Sequence, residues 1–503
     1  MQAILDTTLS KKQFEVRIQE LEKQVKLLEE QNRLLLHYRF GAKTETLSEN
    51  QLALFDSSGT EQQIDDSNQT ESINIKSHQR KRSPRLGFSD DLPTRRVEID
   101  LEDHKKTCEC CQSQLTRIGD DTTRKVEFIP AKVQVIKYVR LKYACKQCEE
   151  TIKRAKLPKF ILPKSFASAS LLAYLVVSKY IDHLPLNRLE NQLKRFGIHL
   201  PRSTQSDWLL VLSEKLQPLI AILNQKILSS SRIWTDDTIL PLQNDDPKRN
   251  KIIQARLWVY IGGPLKDPPL VVYDYSKTRS SKWPIEKLKD YRGYKHADGF
   301  PGYKALHKND NVKFVACWAH ARRKFHEASL VTQNPGKAQT MLDYIRLLYK
   351  VETDCKHMSN KNRKQYRKMH AKPILKHIKA WAEIQVNSVL PKSQLGKALQ
   401  YLLNHWHGLI RYLDAGHLLP DNNTAEQHIR PVALGRKNYL FVGSDRGGHA
   451  AAMFYSLMAT CKIYGINPYE YLVDVLTRLP ECETGEDYEK LVPGKWTKKR
   501  IGH

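Results

Sequence analysis

The sequence predicts a multidomain protein: an α/β core with a helical insertion, preceded by a coiled coil, a small β unit that carries paired cysteines, and a helical region. Three observations lead to this fold class. The chain has 503 residues, more than one hydrophobic core usually organises. A heptad repeat of apolar residues lies near the N-terminus. Strand and helix patterns alternate between residues 231 and 328, as they do in α/β domains.

The charge balance points to a polyanionic partner. The chain carries 82 Lys and Arg against 55 Asp and Glu, a formal net charge of +27. An excess of this size favours nucleic acid as the partner, with a membrane surface as the alternative. No apolar run approaches the roughly 20 residues that span a bilayer, and the N-terminus lacks the features of a signal peptide. We therefore expect a cytoplasmic protein with no membrane span, whose nine cysteines are reduced, metal-bound or buried.

Residues 11–37 are predicted to form a short coiled coil. Apolar residues recur at the two seam positions of about three heptads, and one polar Asn interrupts them. The a positions are Ile18, Val25 and Asn32, and the d positions are Phe14, Leu21, Leu28 and Leu35. A single Asn at position a favours a parallel dimer in fixed register, so we expect a homodimer or higher assembly. A single amphipathic helix packed on its own domain is the alternative.

A flexible linker is predicted within residues 38–90. Residues 56–80 are rich in Ser, Gln, Asp, Asn and Thr and contain few large apolar side chains, which is typical of a segment that builds no core. The basic tract HQRKRSPR at 78–85 follows. It suits phosphate contacts and equally suits a solvated linker end.

Residues 91–160 carry two Cys-x-x-Cys pairs and are predicted to be a zinc-binding β unit. Two such pairs fit one tetrahedral zinc ion with four thiolate ligands, and a closed site of this kind is structural. Strand-like runs lie at 125–130 and 132–144. The alternative is four buried thiols in a small β unit, and Cys110 is a spare cysteine between the first pair. The predicted zinc ligands are Cys108, Cys111, Cys145 and Cys148.

Residues 161–228 are predicted to be helical. Helical patterns cover 168–181, 185–196 and 201–216, and Gly197 separates the second from the third. Two helices, a Gly turn and a third capped helix suggest a helix-turn-helix that binds DNA. A plain helical bundle is the alternative.

The α/β core is predicted over residues 229–470, followed by a C-terminal tail at 471–503. Its order is three strands, helix, strand, short helix, strand and helix, which favours a mixed sheet. A Lys-rich helical insertion covers about 327–415. The first three strands are expected at 231–242, 255–263 and 268–276, and the fourth ends at Asp298.

Carboxylates on separate elements of this core form a candidate metal site. One is Asp236 or its neighbour Asp237, the second is Asp298, and the third is Glu426 at the start of a late helix. Three such groups can hold two divalent ions about 3.5–4 Å apart for phosphoryl transfer. Hard oxygen ligands suit Mg²⁺ or Mn²⁺. The alternative for Glu426 is a surface ion pair with Arg430, four residues on.

Several longer motifs resemble one protein family. They are RFGAKTETLSENQLALF at 39–55, IDHLPLNRLE at 181–190, DGFPGYKAL at 298–306, CWAHARRKF at 317–325 and DNNTAEQHIRPVALGRKNYLFVGSDRGG at 421–448. Together with the heptads and the cysteine pairs, they resemble the insertion-sequence-66 family of bacterial DDE transposases over nearly the whole chain. The last motif is long and highly specific.

The resemblance implies an RNase H-like fold in which Asp236, Asp298 and Glu426 are the catalytic, metal-binding DDE triad. It favours Asp236 because the family pattern Asp-Glu-Thr aligns with Asp236-Asp237-Thr238 here. It also implies 3′-end cleavage by water at the ends of an insertion sequence, followed by strand transfer into target DNA. The implied partners are terminal inverted repeats, target DNA, further copies of the chain, and accessory proteins encoded by the same element in the bacterial nucleoid.

Two other functions compete with this expectation: a DNA-binding regulator or remnant that does not cut, and an RNase H-like structure-specific nuclease. The intact set of carboxylates argues against a regulator that does not cut. A structure-specific nuclease does not need the N-terminal coiled coil and cysteine-containing unit, which argues against the second function.

Basic residues near the triad are predicted to contact DNA. Cys317 and His320 have ligand-like spacing, but a single pair is not a site, and the end of a buried strand is the preferred interpretation. The segment GSDRGG at 443–448 is expected to be a turn near DNA. The predicted DNA contacts are Arg322, Arg323, Lys324, Arg430, Arg436, Lys437 and Arg446.

Overall fold

The structure is a computed structural model that describes residues 11–40, 110, 133–144, 152–243, 252–303, 306, 311–331 and 336–497. The chain divides into two compact units, one of Met1–Phe55 with Ile136–His503 and the other of Asp56–Val135. The description below concerns the first unit. All four predicted zinc ligands, Cys108, Cys111, Cys145 and Cys148, lie outside the described residues.

The N-terminal segment is one helix, α1, Lys11–Phe40. One side of it packs on the rest of the unit: Glu30 is only 6% exposed, and its carboxylate accepts a hydrogen bond from the backbone N–H of Gln394 at 3.2 Å. The Tyr38 hydroxyl donates to Glu327 at 2.8 Å. The heptad seam stays exposed, at 63% for Leu28. The helix therefore packs on its own unit and still presents a free seam, and its pairing into a coiled coil stays a prediction.

A two-stranded antiparallel ribbon follows, with β1 at Lys142–Ala144 and β2 at Ile152–Arg154. The predicted strand at 132–144 was too long, since residues 136–141 belong to no strand. Alternating apolar residues favour a strand, but a strand also needs a neighbouring strand with which to form hydrogen bonds. Here β2 offers three residues, and Val139 beyond its reach is 68% exposed.

Four helices form the next layer: α2 at Ala169–Tyr180, α3 at Leu186–Arg195, α4 at Arg202–Lys215 and α5 at Gln217–Leu228. They agree with the three predicted helical spans and add α5, which has Pro218 in its first turn. Gly197 separates α3 from α4 with a positive φ of 81°, a conformation that suits glycine. The DNA-binding role of this layer stays a prediction.

The core strands are β3 at Arg232–Leu242, β4 at Ile253–Gly262, β5 at Leu270–Ser276, β6 at Gly293–Ala297 and β7 at Val312–Ala316. They form a five-stranded mixed sheet in the order β5-β4-β3-β6-β7, which confirms the predicted α/β core. Pairs β3–β4 and β4–β5 are antiparallel, and pairs β3–β6 and β6–β7 are parallel. The helix α6, Lys282–Leu288, joins β5 to β6, and a 3₁₀ turn at Pro301–Tyr303 follows β6.

The remaining named elements are helices. The insertion consists mainly of α8 at Gly336–Asp354, α9 at Asn360–Val386, α10 at Gln394–Asn404 and α11 at Trp406–Ile410, and it follows α7 at Trp318–Val331. After it come α12 at Asn423–Tyr439, α13 at Asp445–Ile463, α14 at Pro468–Arg478 and α15 at Gly485–Glu489. The predicted boundary between residues 470 and 471 therefore falls inside α14. In the described ranges, no helix combines the length and apolar character that a bilayer crossing requires.

Helix α13 packs closely on β5. The Ser456 hydroxyl accepts a hydrogen bond from Tyr273 N at 2.8 Å, and a Cβ at Gly448 would lie 2.4 Å from the Tyr275 ring. The predicted turn at 443–448 was wrong from Asp445 onward, because Ser444 is the N-cap of α13 and accepts a hydrogen bond from Gly447 N at 3.1 Å. Capping by Ser444 stabilises a helix start despite the two glycines in its first turn.

Candidate functional site

Two of the predicted triad residues lie side by side at one end of the parallel strand pair. Trp234 of β3 is in register with His296 of β6, so Asp236 and Asp298 each stand two residues beyond the same paired position. Asp298 directly follows β6 and accepts a hydrogen bond from Phe300 N at 3.1 Å. Asp236 accepts one from Asp237 N at 2.8 Å. The topology therefore brings two carboxylates that are distant in sequence to the same end of the parallel strand pair.

Glu426 joins them from the first turn of α12. The start of α12 is held in place by Asn422, which is fully buried at the N-terminus of this helix. The Asn422 side chain does not cap its own helix and instead donates to the carbonyl of Thr235, next to Asp236, at 3.0 Å. One residue thus connects the strand of Asp236 to the helix of Glu426.

The carboxylates of Asp298 and Glu426 both act electrostatically on Asp236. Burial, followed by the negative charge of Asp298 and, more weakly, that of Glu426, raises the pKa of Asp236 to about 7. Like charges that share a partly dry site disfavour ionisation, and a cation removes the conflict. Carboxylate oxygens are the ligands that Mg²⁺ and Mn²⁺ prefer, so this donor set fits such ions.

Asp237 has a different environment. Its side chain is only 3% exposed and forms ion pairs with Arg256 at 3.1 Å and Arg279 at 2.8 Å. The Arg279 guanidinium also lies over the Phe300 ring, 4.2 Å from its centroid. Asp237 is therefore occupied by two arginines, whereas Asp236 has no ion pair among the described residues. This contrast favours Asp236 as the metal ligand.

Glu426 does not pair with Arg430, which is exposed. Its Oε1 lies 3.6 Å from His320 Nδ1, and its Oε2 lies 3.7 Å from Arg323. The surface ion pair that was the alternative for Glu426 is thus absent from the described structure. Arg323 is 57% exposed, so it can neutralise the carboxylate and still face solvent.

His320 and Asn422 are two site residues whose roles were not anticipated. Cys317 is 1% exposed directly after β7, as the preferred interpretation of a buried strand end required. Its sulfur accepts a hydrogen bond from the backbone N–H of Asn422 at 3.2 Å, which ties the start of α7 to the start of α12. The Cys-x-x-His spacing was the available signal for His320, but its partner Glu426 lies far along the chain.

The other predicted DNA contacts differ in their freedom to bind. Lys324 lies over the Tyr401 ring, 4.9 Å from its centroid, and Arg322 is partly buried. Arg436 donates to Thr238 Oγ1 at 3.0 Å and to the Ile239 carbonyl at 2.6 Å, so it supports the packing of α12 on β3.

Arg446 pairs with Glu214 at 2.7 Å on the surface, and Lys437 is exposed like Arg430. Exposed residues of this group can reach a DNA backbone directly, whereas Arg436 is committed to the fold.

A histidine close to the triad is structural. His296 is fully buried, and its ring stacks on Trp234 with 5.1 Å between centroids. Burial lowers the pKa of His296 to about 3, so its ring is neutral at physiological pH. The ring therefore packs in the core against a tryptophan.

Comparison with protein families gives four matches along the chain. The Transposase IS66 family matches residues 164–450, which include the helical layer, the sheet and all three triad positions. The zinc-finger binding domain of transposase IS66 matches 105–149, the stretch that contains both Cys-x-x-Cys pairs. The IS66 C-terminal element matches 456–493, and the family described as Transposase C of IS166 homeodomain matches 27–98.

Three relatives come from Sinorhizobium fredii, and each is described as an uncharacterized protein. The protein y4jD is 33% identical over 416 residues, which cover 81% of this chain and 81% of the relative. The protein y4hP is 31% identical over 84% of this chain and 78% of its own length. The protein y4qI is 30% identical over 83% of this chain and 78% of its own length.

Proposed function

The chain belongs to the IS66 family of transposases, and we propose that it cleaves the 3′ ends of an insertion sequence and joins them to target DNA. The observation that carries this proposal is the convergence of Asp236, Asp298 and Glu426 from β3, the end of β6 and α12. Such a constellation on a mixed sheet is the arrangement of an RNase H-like core, which we propose for residues 229–470.

The three carboxylates are proposed to hold the divalent ions of the reaction. When bound, Mg²⁺ or Mn²⁺ supplies activation of water or of a 3′ hydroxyl and stabilisation of the leaving oxygen. Asn422 keeps the first turn of α12 against β3, which aligns Glu426 with Asp236. Arg323, exposed beside Glu426, is placed to bind a DNA phosphate at the reacting centre.

The N-terminal units are proposed to recognise and pair the element's ends. Within the zinc-finger match at 105–149, Cys108, Cys111, Cys145 and Cys148 are the proposed structural Zn²⁺ ligands. The exposed seam of α1 is proposed to join a second copy of the chain, because two DNA ends must be held together. Accessory proteins of the same element complete the proposed partners, and the bacterial nucleoid is the proposed location.

Cleavage and strand transfer on labelled DNA that carries the element's own ends, with Mg²⁺ or Mn²⁺, tests this function. Wild type is compared with Glu426→Gln, which keeps the size of the side chain and removes its charge. The matched control is Glu383→Gln on the exposed surface of α9. We expect joined products from wild type and from the control, and a loss of at least about 100-fold in Glu426→Gln, because the ligand acts in the transition state.

The variant must still bind the DNA ends, which a mobility-shift assay measures. Cutting without joining by wild type would indicate a nuclease. Equal joining by wild type and Glu426→Gln would remove Glu426 from the catalytic set. DNA binding without cutting by wild type, in the presence of the element's accessory proteins, would indicate a regulator.

A further inference from the structure

Two buried polar atoms face each other beside the triad without a hydrogen-bond partner. They are Nδ1 of His320 and Oε1 of Glu426, which lie 3.6 Å apart. A buried polar atom left unpaired is destabilising, so folded proteins rarely keep two in one place. The separation exceeds an ordinary hydrogen-bond length. It fits two ligand atoms that both bind a third atom lying between them.

The spacing suits one metal ion. Ligand atoms of Cys317, His320 and Glu426 all lie within 4.8 Å of one another. A metal bonded to nitrogen and oxygen at about 2.1 Å separates two adjacent donors by roughly 3.0–3.4 Å. The distance between His320 and Glu426 is close to this value, so both side chains could bind one ion after a small adjustment and no change of backbone.

Cys317 does not complete this pair as a ligand. Its sulfur already accepts hydrogen bonds from the backbone N–H groups of Asn422 and His320. The role of Cys317 is to fix the first turn of α7, and with it the position of His320 next to Glu426.

We propose that His320 is a nitrogen ligand of the divalent ion that Glu426 holds, and that the site therefore prefers Mn²⁺ to Mg²⁺. Imidazole binds ions of the transition series well, whereas Mg²⁺ favours a shell of oxygen atoms. This inference rests on the proposed function, because it assigns a further ligand to the same metal site. It makes the Cys-x-x-His motif a part of that site: Cys317 positions the histidine, and the histidine binds.

The test is Mn²⁺ binding to the full-length chain as purified with its zinc, without DNA. Free Mn²⁺ is measured by its electron paramagnetic resonance signal, and pulsed spectra report nitrogen coupled to the bound ion. The variant is His320→Gln, and the matched control is His407→Gln, an exposed histidine on α11. We expect roughly tenfold weaker Mn²⁺ binding and loss of the nitrogen coupling in His320→Gln, and no change in the control.

Wild-type protein that binds Mn²⁺ without nitrogen coupling overturns the proposal, and this result needs no variant to fold. Equal Mn²⁺ affinity and equal coupling in wild type and His320→Gln overturn it as well. The proposed function is tested separately. If Mn²⁺ couples to the His320 nitrogen but the protein cuts no DNA, His320 stands as a metal ligand and the proposed transposase activity is contradicted. If the protein cuts DNA but its bound Mn²⁺ shows no coupled nitrogen, the proposed activity stands and His320 is not a metal ligand.

Discussion

At the scale of single residues, Asn422 decides whether two parts of the site meet. It is fully buried, its side chain donates to Thr235 O, and its backbone N–H donates to Cys317 Sγ. Three segments of the chain therefore converge on one amide. Asn422 is buried, so the loss of either contact leaves a buried polar group unsatisfied.

Replacement of Asn422 should be costly, and the cost should depend on charge. Asn422→Ala removes the donor to Thr235 and should lower the free energy of unfolding by about 1–3 kcal/mol. Asn422→Asp keeps the size but turns an acceptor toward a carbonyl and adds a negative charge near Asp236, so it should be worse than alanine. Urea denaturation at pH 7.5 measures both. Equal stability of the three proteins would show that the contact is unimportant.

The pKa of Asp236 gives a pH dependence of stability with a defined sign. The folded-state pKa is about 7, whereas an unfolded Asp titrates near about 3.9. The folded state therefore binds the proton more tightly, and this stabilising contribution is full below about pH 4 and is lost as pH rises through 7. Without added divalent ions, Tm should fall across this range by more in wild type than in Asp236→Asn.

Addition of Mn²⁺ at pH 8 should raise Tm in wild type more than at pH 5, since the carboxylates are then ionised and ready to bind. A scanning calorimeter measures both series. The same pH profile in wild type and Asp236→Asn would contradict the assigned cause.

At the scale of elements, patterns of residue type predicted most of the fold. Alternating and continuous apolar runs located the strands of the mixed sheet, and helical periodicity located α2 to α4. Failures occurred where a partner decides the outcome. Residues 136–141 look like a strand, but β2 ends at Arg154, opposite Lys142, and pairs with none of them. The start of α13 looks like a turn, but the Ser444 side chain caps it.

The candidate site shows the same division. Residue chemistry and family motifs led to the prediction of Asp236, Asp298 and Glu426, because acidic residues within a strand, after a strand and at a helix start are visible in the sequence. Asn422 could not be assigned a role in that way. Its acceptor, Thr235, is 187 residues distant, and only the folded sheet brings them together.

The insertion depends on a buried ion pair between two of its helices. Arg367 of α9 is fully buried and pairs with Glu352 of α8 through two contacts, one of them 2.8 Å. The same guanidinium donates to the carbonyls of Tyr412 and Ala415 at 3.1 and 3.2 Å. It therefore joins both long helices to the segment that leads back to the core.

Removal of one partner should be much worse than removal of both. Arg367→Met leaves a buried carboxylate and two unsatisfied carbonyls, and should cost about 3–5 kcal/mol. The double variant Arg367→Met with Glu352→Met leaves no uncompensated charge, so it should cost less than the sum of the two single changes. Denaturation of the four proteins forms a double-mutant cycle, and strict additivity would contradict the coupling.

At the scale of the whole molecule, the two sides of α1 have different tasks. Glu30 and Tyr38 attach the helix to the unit that contains the triad. The seam residues Leu21, Val25 and Leu28 are between 44% and 63% exposed. Apolar side chains that are regularly spaced and exposed favour association, because pairing removes them from water. An assembly through this seam would link two copies of the candidate site.

A charge placed in the seam should therefore separate the copies. Leu28→Lys puts an ammonium group into the paired apolar surface, where it would be desolvated without a partner. Gln19→Lys adds the same charge at an exposed position away from the seam and is the matched control. Sedimentation velocity should show a dimer or larger species for wild type and Gln19→Lys, and a shift toward monomer for Leu28→Lys. If strand transfer requires two copies, Leu28→Lys should also lose joined products while its Mn²⁺ binding stays unchanged, because the seam lies outside the metal site. Identical sedimentation of all three proteins would instead assign association to another surface, and α1 would serve only as a helix packed on its own unit.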